Sequence, residues 1–196
     1  MIASARFYDR ISFLYPVVDV FLKSGKQKFF CNINTYPHGR LLEIGAGTGK
    51  HFKYYKRHEV VGIDTSQSMV SSAQSESNDT IQVVLMNGEM LSFNNETFDY
   101  VVMSHVISVV DNPEKLLEEV YRVLKPSGKV FILNHFTPDN WLRYVDRSVQ
   151  RIALLFHFRS VFTISSLSAI RKFRLLREVN AAWWSYFKIL IYEKNI

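Results

Sequence analysis

The chain alternates short apolar runs with segments of helical periodicity, and this alternation constrains its fold more than any other feature. The runs begin after the turn Pro37-His38-Gly39. Five of them are predicted to be strands: Leu41–Gly45, Val60–Asp64, Ile81–Met86, Phe98–Met103 and Lys129–Phe136. Strands separated by helices pair in parallel through crossover connections, so the pattern indicates an α/β fold with a mostly parallel sheet.

The helix before the fifth of these strands has the clearest signals. Pro113 suits a first helical position, and either Asp111 or Asn112 can cap the helix. Its apolar face is formed by Leu116, Leu117, Val120 and Leu124. We expect Pro126-Ser127-Gly128 to end it. The remaining predicted elements are a helix and two closing strands: 139–158, Lys172–Asn180 and Trp184–Glu193.

The first 36 residues are predicted to form a helical region ahead of the sheet. Apolar side chains recur there at the spacing of one helical face: Phe7, Ile11, Leu14, Tyr15, Val18, Phe21 and Leu22. Pro16 interrupts the pattern, so two helices or one kinked helix are expected. A chain of 196 residues suits one domain. We therefore expect a single domain over 1–196, with an amphipathic helical cap at 1–36 and an α/β core at 37–196.

The first predicted strand leads into the turn Gly45-Ala46-Gly47-Thr48-Gly49 and then a helical segment. Glycines let the backbone approach a ligand closely, and amides at a helix start point toward it. A dinucleotide site is disfavoured, because Lys50 stands where its third glycine is required. Asp64 ends the second strand, where a carboxylate can accept hydrogen bonds from two ribose hydroxyls. The pattern predicts a nucleotide-like ligand.

Together with segments further along, this region resembles the class I S-adenosylmethionine-dependent methyltransferases. The matching segments are Leu41-Leu42-Glu43-Ile44-Gly45-Ala46-Gly47-Thr48-Gly49, Val61-Gly62-Ile63-Asp64-Thr65-Ser66, Asn87-Gly88-Glu89, Phe98-Asp99-Tyr100-Val101-Val102 and Arg122-Val123-Leu124-Lys125-Pro126-Ser127-Gly128. The resemblance implies a Rossmann-like, seven-stranded, mostly parallel sheet with its last strand antiparallel and helices on both faces. It also implies S-adenosylmethionine as the cofactor and S-adenosylhomocysteine as its product.

The same resemblance implies where the cofactor lies. The glycines would adjoin its methionine part, Asp64 its ribose and Asn87-Gly88-Glu89 its adenine. Many relatives carry Asp in place of Asn87, so an amide would serve the adenine edge here. Met69 could line the adenine slot, although Met at helical spacing is also typical of a core. The predicted cofactor-binding residues are Glu43, Gly45, Ala46, Gly47, Gly49, Asp64, Thr65, Met69, Asn87, Gly88, Glu89, Met90 and His105.

The net charge of +6 is concentrated in residues 141–178. This stretch sets eight basic residues against Asp146 and Glu178: Arg143, Arg147, Arg151, Arg159, Arg171, Lys172, Arg174 and Arg177. Such a block favours an anionic membrane or nucleic acid, although a solvated helix face is the plain alternative. No uncharged apolar stretch approaches the roughly 20 residues that span a bilayer, so membrane contact would be peripheral.

The cellular location is predicted from cysteine content and from the N-terminal sequence. Cys31 is the only cysteine, so no disulfide can form within the chain. The N-terminus lacks the basic start, apolar run and cleavage site of a signal peptide. We therefore expect a cytoplasmic protein, peripherally associated with the inner face of the cell membrane.

Short segments flanking the core resemble bacterial phosphatidylethanolamine N-methyltransferases. They are Tyr8-Asp9-Arg10, Tyr15, Ser108-Val109-Val110, Asn134-His135-Phe136 and Phe158-Arg159-Ser160. The resemblance implies N-methylation of phosphatidylethanolamine toward phosphatidylcholine at an anionic membrane surface, and we expect a monomer. His105 and Pro16 depart from the family's pattern, which leaves other amine acceptors open.

An ammonium acceptor must lose a proton before its nitrogen can attack, so a base is sought. His135 is the predicted base, because an imidazole titrates at about pH 6.5, and Tyr15 is the second candidate. Tyr8 and Tyr15 could also offer ring faces to a sulfonium or ammonium. The predicted substrate site is Asn134, His135 and Arg159, whose guanidinium could pair with a lipid phosphate. Helix packing, strand-end hydrogen bonding and a solvated charge are the ordinary alternatives for these residues.

Other functions stay open on the sequence alone. One is a soluble methyltransferase of a small amine or another small nucleophile. Another is a non-catalytic module that binds S-adenosylmethionine or a membrane. A nucleic-acid methyltransferase is disfavoured, because Ser104-His105-Val106-Ile107 follows the fourth strand in place of an Asn/Asp-Pro-Pro-aromatic signature. We expect no nucleic-acid partner and no metal.

Overall fold

The computed structural model describes residues 25–135, 164–180 and 187–195. Its helices and strands are α1 (25–33), β1 (Arg40–Ile44), β2 (Glu59–Asp64), α2 (Gln67–Gln74), β3 (Ile81–Leu85), β4 (Phe98–Ser104), α3 (Pro113–Val123), β5 (Leu124–His135), β6 (Phe173–Asn180) and β7 (Phe187–Lys194). The same ranges contain short 3-10 helices at Phe52–Tyr54, Ile164–Ser166 and Ala169–Lys172. Among the described helices, none has both the length and the apolar character needed to span a bilayer.

The described strands form one sheet in the order β3-β2-β1-β4-β5-β7-β6. The pairs among β1 to β5 are parallel, whereas β7 runs antiparallel to both β5 and β6. The predicted seven-stranded, mostly parallel sheet with an antiparallel last strand is confirmed. Because the strand order reverses between β1 and β4, the carboxyl ends of these strands flank the crevice where ligands of such sheets bind.

Apolar side chains cover both faces of the sheet. On one face, Phe29 and Phe30 of α1 pack in a cluster that includes Leu41 of β1. On the other, Leu116 of α3 belongs to a cluster that includes Leu42. Neighbouring residues of one strand thus point to opposite faces, and helices bury both of them, as a parallel sheet requires.

Helix α3 begins as predicted but ends earlier. The Asn112 side chain caps it by accepting a hydrogen bond from the Lys115 amide at 3.0 Å, and Pro113 occupies its first position. The helix ends at Val123, ahead of the predicted stop at Pro126. Leu124 already pairs in register with Phe98 of β4. Pairing with β4 therefore overrides the proline and glycine as the signal that ends the helix.

Some predictions concern residues outside the described ranges. Among them are the apolar face at residues 7–22, the helix at 139–158, and the site residues Tyr8, Tyr15 and Arg159. Within the predicted N-terminal cap, α1 lies in the described part, with Phe29, Phe30 and Ile33 buried against the sheet.

Candidate functional site

The glycine turn after β1 is held in a conformation that glycine accommodates best. Gly45, Gly47 and Gly49 have φ angles of 77°, 55° and 73°, in the left-handed region that side chains disfavour. A Cβ on Gly45 would lie 2.3 Å from Cγ2 of Val106, in the segment that follows β4. A Cβ on Gly47 would meet nothing within 4 Å. The turn is therefore tightly packed at Gly45 and open at Gly47.

Asp64, at the end of β2, ties this turn to the neighbouring strand. Its Oδ2 accepts a hydrogen bond from the Gly47 amide at 2.9 Å, and its Oδ1 accepts one from the Ser66 amide at 2.9 Å. The amides of Gly45 and Ala46 both donate to the carbonyl of Ile63, at 2.8 and 2.9 Å. A carboxylate has about four acceptor positions, so Asp64 retains capacity for ligand hydroxyls while it fixes the turn.

The helical segment expected after the glycine turn is only the 3-10 helix Phe52–Tyr54. This helix packs Phe52 into the core and directs His51 and Tyr55 back toward Glu43. So short an element has almost no macrodipole, and the expectation that a helix start points its amides at the ligand is not met.

A buried polar cluster lies directly beneath the turn. Glu43 is 0% exposed; its Oε1 is 2.7 Å from Nε2 of His51, and its Oε2 accepts a hydrogen bond from the Tyr55 hydroxyl at 3.0 Å. Burial raises the pKa of the Tyr55 phenol well above its usual value, and the adjacent carboxylate adds to the effect. The His51 ring stacks on Phe30 of α1 with ring centres 5.4 Å apart, so the cluster also connects the turn to α1.

The segment after β3 forms the next part of the same edge. Oδ1 of Asn87 accepts a hydrogen bond from the Glu89 amide at 2.9 Å, and the Met90 amide donates to the Asn87 carbonyl at 3.0 Å. A Cβ on Gly88 would lie 2.8 Å from Cγ2 of Ile44, so this glycine allows close packing against β1. Met90 is 68% exposed. The predicted residues 87–90 thus form a compact turn beside β1 and β2.

These ends of β1, β2 and β3 fit the predicted cofactor. The open face at Gly47, the carboxylate of Asp64 and an exposed apolar surface follow one another along the sheet edge. Leu85, which pairs in register with Asp64, is 49% exposed and offers an apolar surface at this edge. Thr65 is exposed and Met69 is half-buried at the same edge. Carboxylates near the turn also suit a positively charged sulfonium.

The other side of the crevice lies between β4 and β5. His105 follows β4 with a φ of 60°; its amide donates to the Leu133 carbonyl at 2.7 Å, and its ring contacts Phe187 edge to face at 5.4 Å. Asn134 of β5 is buried, and its Oδ1 accepts a hydrogen bond from the Ser108 hydroxyl at 3.2 Å. His135 ends β5 at the same edge. The chain thus brings both predicted sides of the site to one crevice. In the described ranges, no group of three or more His, Cys, Asp or Glu could hold a metal.

Comparison with known proteins identifies the family of this chain. Residues 42–132 match the family model described as a methyltransferase domain. The chain is 31% identical over 164 residues to the phosphatidylethanolamine N-methyltransferase of Cereibacter sphaeroides, covering 80% of this chain and 81% of that enzyme. The chain is a class I S-adenosylmethionine-dependent methyltransferase. Its cofactor is S-adenosylmethionine.

Other relatives of this methyltransferase share less of its length. It is 33% identical over 107 residues to the ubiquinone/menaquinone biosynthesis C-methyltransferase of Hydrogenovibrio crunogenus, covering 50% of this chain and 42% of that enzyme. A solved structure of an S-adenosylmethionine-dependent methyltransferase from Thermotoga maritima superimposes with a TM-score of 0.74 at 19% identity. That match covers 97% of this chain and 99% of the other and supports the fold.

Several residues of the site were not predicted from the sequence. Val106 packs on Gly45 across the crevice, and His51 and Tyr55 surround Glu43. His51 and Tyr55 are four residues apart, a spacing that indicates a shared face in a helical segment and could have revealed them. Nothing in the sequence indicates the contact with Val106, because it depends on how β1 and β4 pack side by side. The individual cofactor and substrate contacts predicted above stay predictions.

Proposed function

We propose that this methyltransferase N-methylates phosphatidylethanolamine, toward phosphatidylcholine, and does so as a monomer at an anionic membrane surface. The observation that carries the proposal is the extent of the similarity to the Cereibacter sphaeroides enzyme. It covers 164 residues, well beyond the methyltransferase domain match at 42–132. The C-methyltransferase of Hydrogenovibrio crunogenus matches only 107 residues, and the one of Wigglesworthia glossinidia brevipalpis matches 146 residues but at only 25% identity. Resemblance outside the cofactor-binding core favours a shared acceptor.

The proposed reaction is a displacement at the cofactor's methyl carbon. The lone pair of the headgroup nitrogen forms the new N–C bond while the C–S bond breaks, and its electron pair stays on sulfur as S-adenosylhomocysteine. The ammonium proton must leave before attack, and the proposed base is His135, at the end of β5. Because the sulfonium is already activated, the protein's main contribution is to hold the acceptor in line with the methyl group.

The proposed membrane contact is supported by three parts of the chain that lie close together at one end of the sheet. The end of β5, the end of β6 and the start of β7 are adjacent, since Lys188 pairs in register with both Asn134 and Asn180. Nζ of Lys28 in α1 donates to the Asn180 carbonyl at 3.0 Å. The positions from which the chain continues into residues 136–163 and 181–186 therefore lie near each other, with Lys28 of α1 beside them. Residues 1–24 contain the predicted apolar face at 7–22, and residues 136–163 contain four arginines between 143 and 159, which suit an anionic lipid surface.

The acceptor is tested with radiolabelled S-adenosylmethionine and three acceptors in parallel. These are vesicles of phosphatidylethanolamine and phosphatidylglycerol, free ethanolamine with histamine, and a demethylated quinone in detergent. We expect label only in methylated phosphatidylethanolamines, resolved by thin-layer chromatography, with Asp64→Ala as the inactive control. Label only in a soluble amine or quinone would contradict the proposal. Cofactor binding without any labelled product would favour the non-catalytic alternative.

Membrane attachment is tested by flotation with anionic vesicles at low and high salt. Deletion of residues 1–14 should lower vesicle binding while cofactor affinity is retained, because the cofactor contacts are predicted elsewhere. Each basic residue near the surface contributes about 1 kcal/mol that salt screens. If full-length and shortened proteins float equally, or if neither floats, the proposed membrane contact is wrong and a soluble acceptor is favoured.

A further inference from the structure

Helix α3 is hydrogen-bonded to the segment between β3 and β4 through one arginine. Arg122 donates from Nη1 to the Phe93 carbonyl at 2.7 Å and to Oδ1 of Asn95 at 3.0 Å. Its Nη2 donates to the Leu91 carbonyl at 2.9 Å. A guanidinium offers five donors in a rigid plane, so three acceptors of one segment are held in a single geometry.

Glu119, one turn earlier on α3, binds both Arg122 and the same segment. Its carboxylate takes a bidentate pair of hydrogen bonds from Nε and Nη2 of Arg122, both at 2.8 Å. Oε2 also accepts a hydrogen bond from the Leu91 amide at 2.7 Å. The hydrogen bond from Arg122 holds the pKa of Glu119 below its usual value. Both backbone groups of Leu91 are therefore bound by this ion pair, which charge-assisted bonding makes strong.

The same segment is fixed to the start of α3 as well. Oε1 of Glu89 accepts a hydrogen bond from the amide of Asn112, the residue that caps α3, at 2.9 Å. Asn87 closes the turn internally through the Glu89 and Met90 amides. Glu89 and Leu91 are thus both bound to α3 or its cap, and Asn87 is tied to Glu89 and Met90, which restricts the backbone of residues 87–91.

The position of this segment along the sheet edge indicates which part of the cofactor it would contact. The glycine turn, Asp64 and residues 87–90 follow β1, β2 and β3, which are neighbours in that order. The acceptor side lies across the crevice at β4 and β5, so the reacting methyl group must be near β1. With the ribose at Asp64, the base then extends toward β3 and residues 87–90.

We infer that Glu119 and Arg122 are positioning residues for the adenine of the cofactor, because they hold the backbone that the base contacts. This inference rests on the prediction that Asn87, Gly88 and Glu89 flank the adenine. A base is distinguished by donors and acceptors at fixed places, and an analogue that reverses one of them is rejected only if the site cannot adjust. The ion pair supplies that rigidity from outside the cofactor site.

The test compares Glu119→Gln with Glu118→Gln, a matched control on the same helix. Glu118 pairs with Lys172 and does not contact residues 87–91. Calorimetry measures the affinity for S-adenosylhomocysteine and for its analogue with a 6-oxo purine base. We expect Glu119→Gln and Arg122→Lys to weaken S-adenosylhomocysteine binding about tenfold and to reduce the preference for adenine. The kcat at saturating S-adenosylmethionine should stay unchanged, and Glu118→Gln should bind like the unmodified protein.

Three outcomes overturn the inference. If Glu119→Gln and Arg122→Lys melt at lower temperature but keep the affinity and the adenine preference, the pair serves stability alone. If Asn87→Ala also leaves the preference intact while Asp64→Ala abolishes binding, the adenine placement itself is wrong. If neither Glu119→Gln nor Arg122→Lys folds, hydrogen exchange on the unmodified protein tests the inference instead. S-Adenosylhomocysteine must then protect the Met90 and Leu91 amides, and no added protection overturns the inference.

Discussion

The two sides of the crevice are built from very different distances along the chain. On the cofactor side, Glu43 contacts His51 and Tyr55, 8 and 12 residues away, and Asp64 contacts Gly47, 17 residues away. On the acceptor side, the separations in sequence are longer. Ser108 and Asn134 are 26 residues apart, and Lys28 and Asn180 are 152 residues apart. The glycine turn and Asp64 therefore form a local structure. Residues 87–91, which Glu119 and Arg122 hold from 28 and 31 residues away, and the acceptor side are assembled only when distant segments meet.

The largest effect is expected for His135→Ala, which should impair catalysis but not cofactor binding. His135→Ala should lower kcat by about 10²–10⁴, the usual contribution of a positioned general base, while cofactor affinity stays close to normal. Turnover is measured with phosphatidylethanolamine vesicles between pH 6 and 9, with the exposed His38→Ala as the control. Full activity of His135→Ala across that range would return His135 to an ordinary strand-end residue.

Asp64→Ala should disable the cofactor side while leaving the fold intact. The variant loses the acceptor for the predicted ribose hydroxyls and releases the Gly47 and Ser66 amides. Each hydrogen bond to a charged group is worth about 1.5–3 kcal/mol, so affinity should fall by about 100-fold or more. Calorimetry measures this against Asp79→Ala, an exposed carboxylate before β3. Equal affinity in the two variants would remove Asp64 from the cofactor site.

Gly45→Ala tests the contact between the glycine turn and Val106 in the segment after β4. The added Cβ would overlap Val106 and sit at a left-handed φ, so unfolding free energy should fall by about 2–4 kcal/mol. Gly47→Ala, which meets no neighbour, should cost only about 1–2 kcal/mol from its φ angle. Urea unfolding measures both.

The double variant Gly45→Ala/Val106→Ala shows whether Val106 is the obstacle. Removing the Val106 methyl groups relieves the overlap but not the backbone strain, so the effects of the two changes should be less than additive. Strict additivity would mean that the turn and the segment after β4 do not press on each other, and the two sides of the crevice would be independent.

The smallest expected effect concerns a long-range contact between Glu114 of α3 and residues 168–169. Oε1 and Oε2 of Glu114 accept hydrogen bonds from the Ser168 and Ala169 amides at 2.6 and 2.8 Å. The bonds from Ala169 and Ser168 lower the pKa of Glu114. Its contribution to stability is therefore present above the ordinary carboxyl pKa of about 4.3 and is lost as the pH falls through the lowered value.

Glu114→Gln should thus lower the melting temperature by a few degrees at pH 7. The difference from the unmodified protein should shrink as the pH falls from the ordinary carboxyl pKa of about 4.3 toward the lowered pKa of native Glu114. Calorimetric scans at pH 7 and pH 3.5 measure both differences, with the exposed Glu76→Gln as the control. A difference that stays constant with pH would show that the carboxylate charge does not hold residues 168–169.

The sequence was a good guide where the signals were local. Asn112 and Pro113 begin α3 as expected, and each of the first five predicted strands is present with ends shifted by few residues, except the start of β5. That strand begins at Leu124, ahead of the predicted Lys129, because pairing with β4 extends across Pro126. The helix expected after the glycine turn shortened to three residues, since His51 and Tyr55 turn back to Glu43.

The amino-acid sequence by itself determined the strand and helix alternation, the glycine turn and the acidic residue at the end of β2, and its resemblance to the class I methyltransferases indicated the cofactor. These depend on backbone conformation and on neighbours within one βαβ unit. Only the tertiary structure decided that Val106 closes on Gly45, that Ser108 and Asn134 pair in the crevice, and that Glu119 and Arg122 hold residues 87–91. The reason is physical: such contacts require strands and helices from distant parts of the chain to be packed first, and no local pattern specifies their separation or orientation.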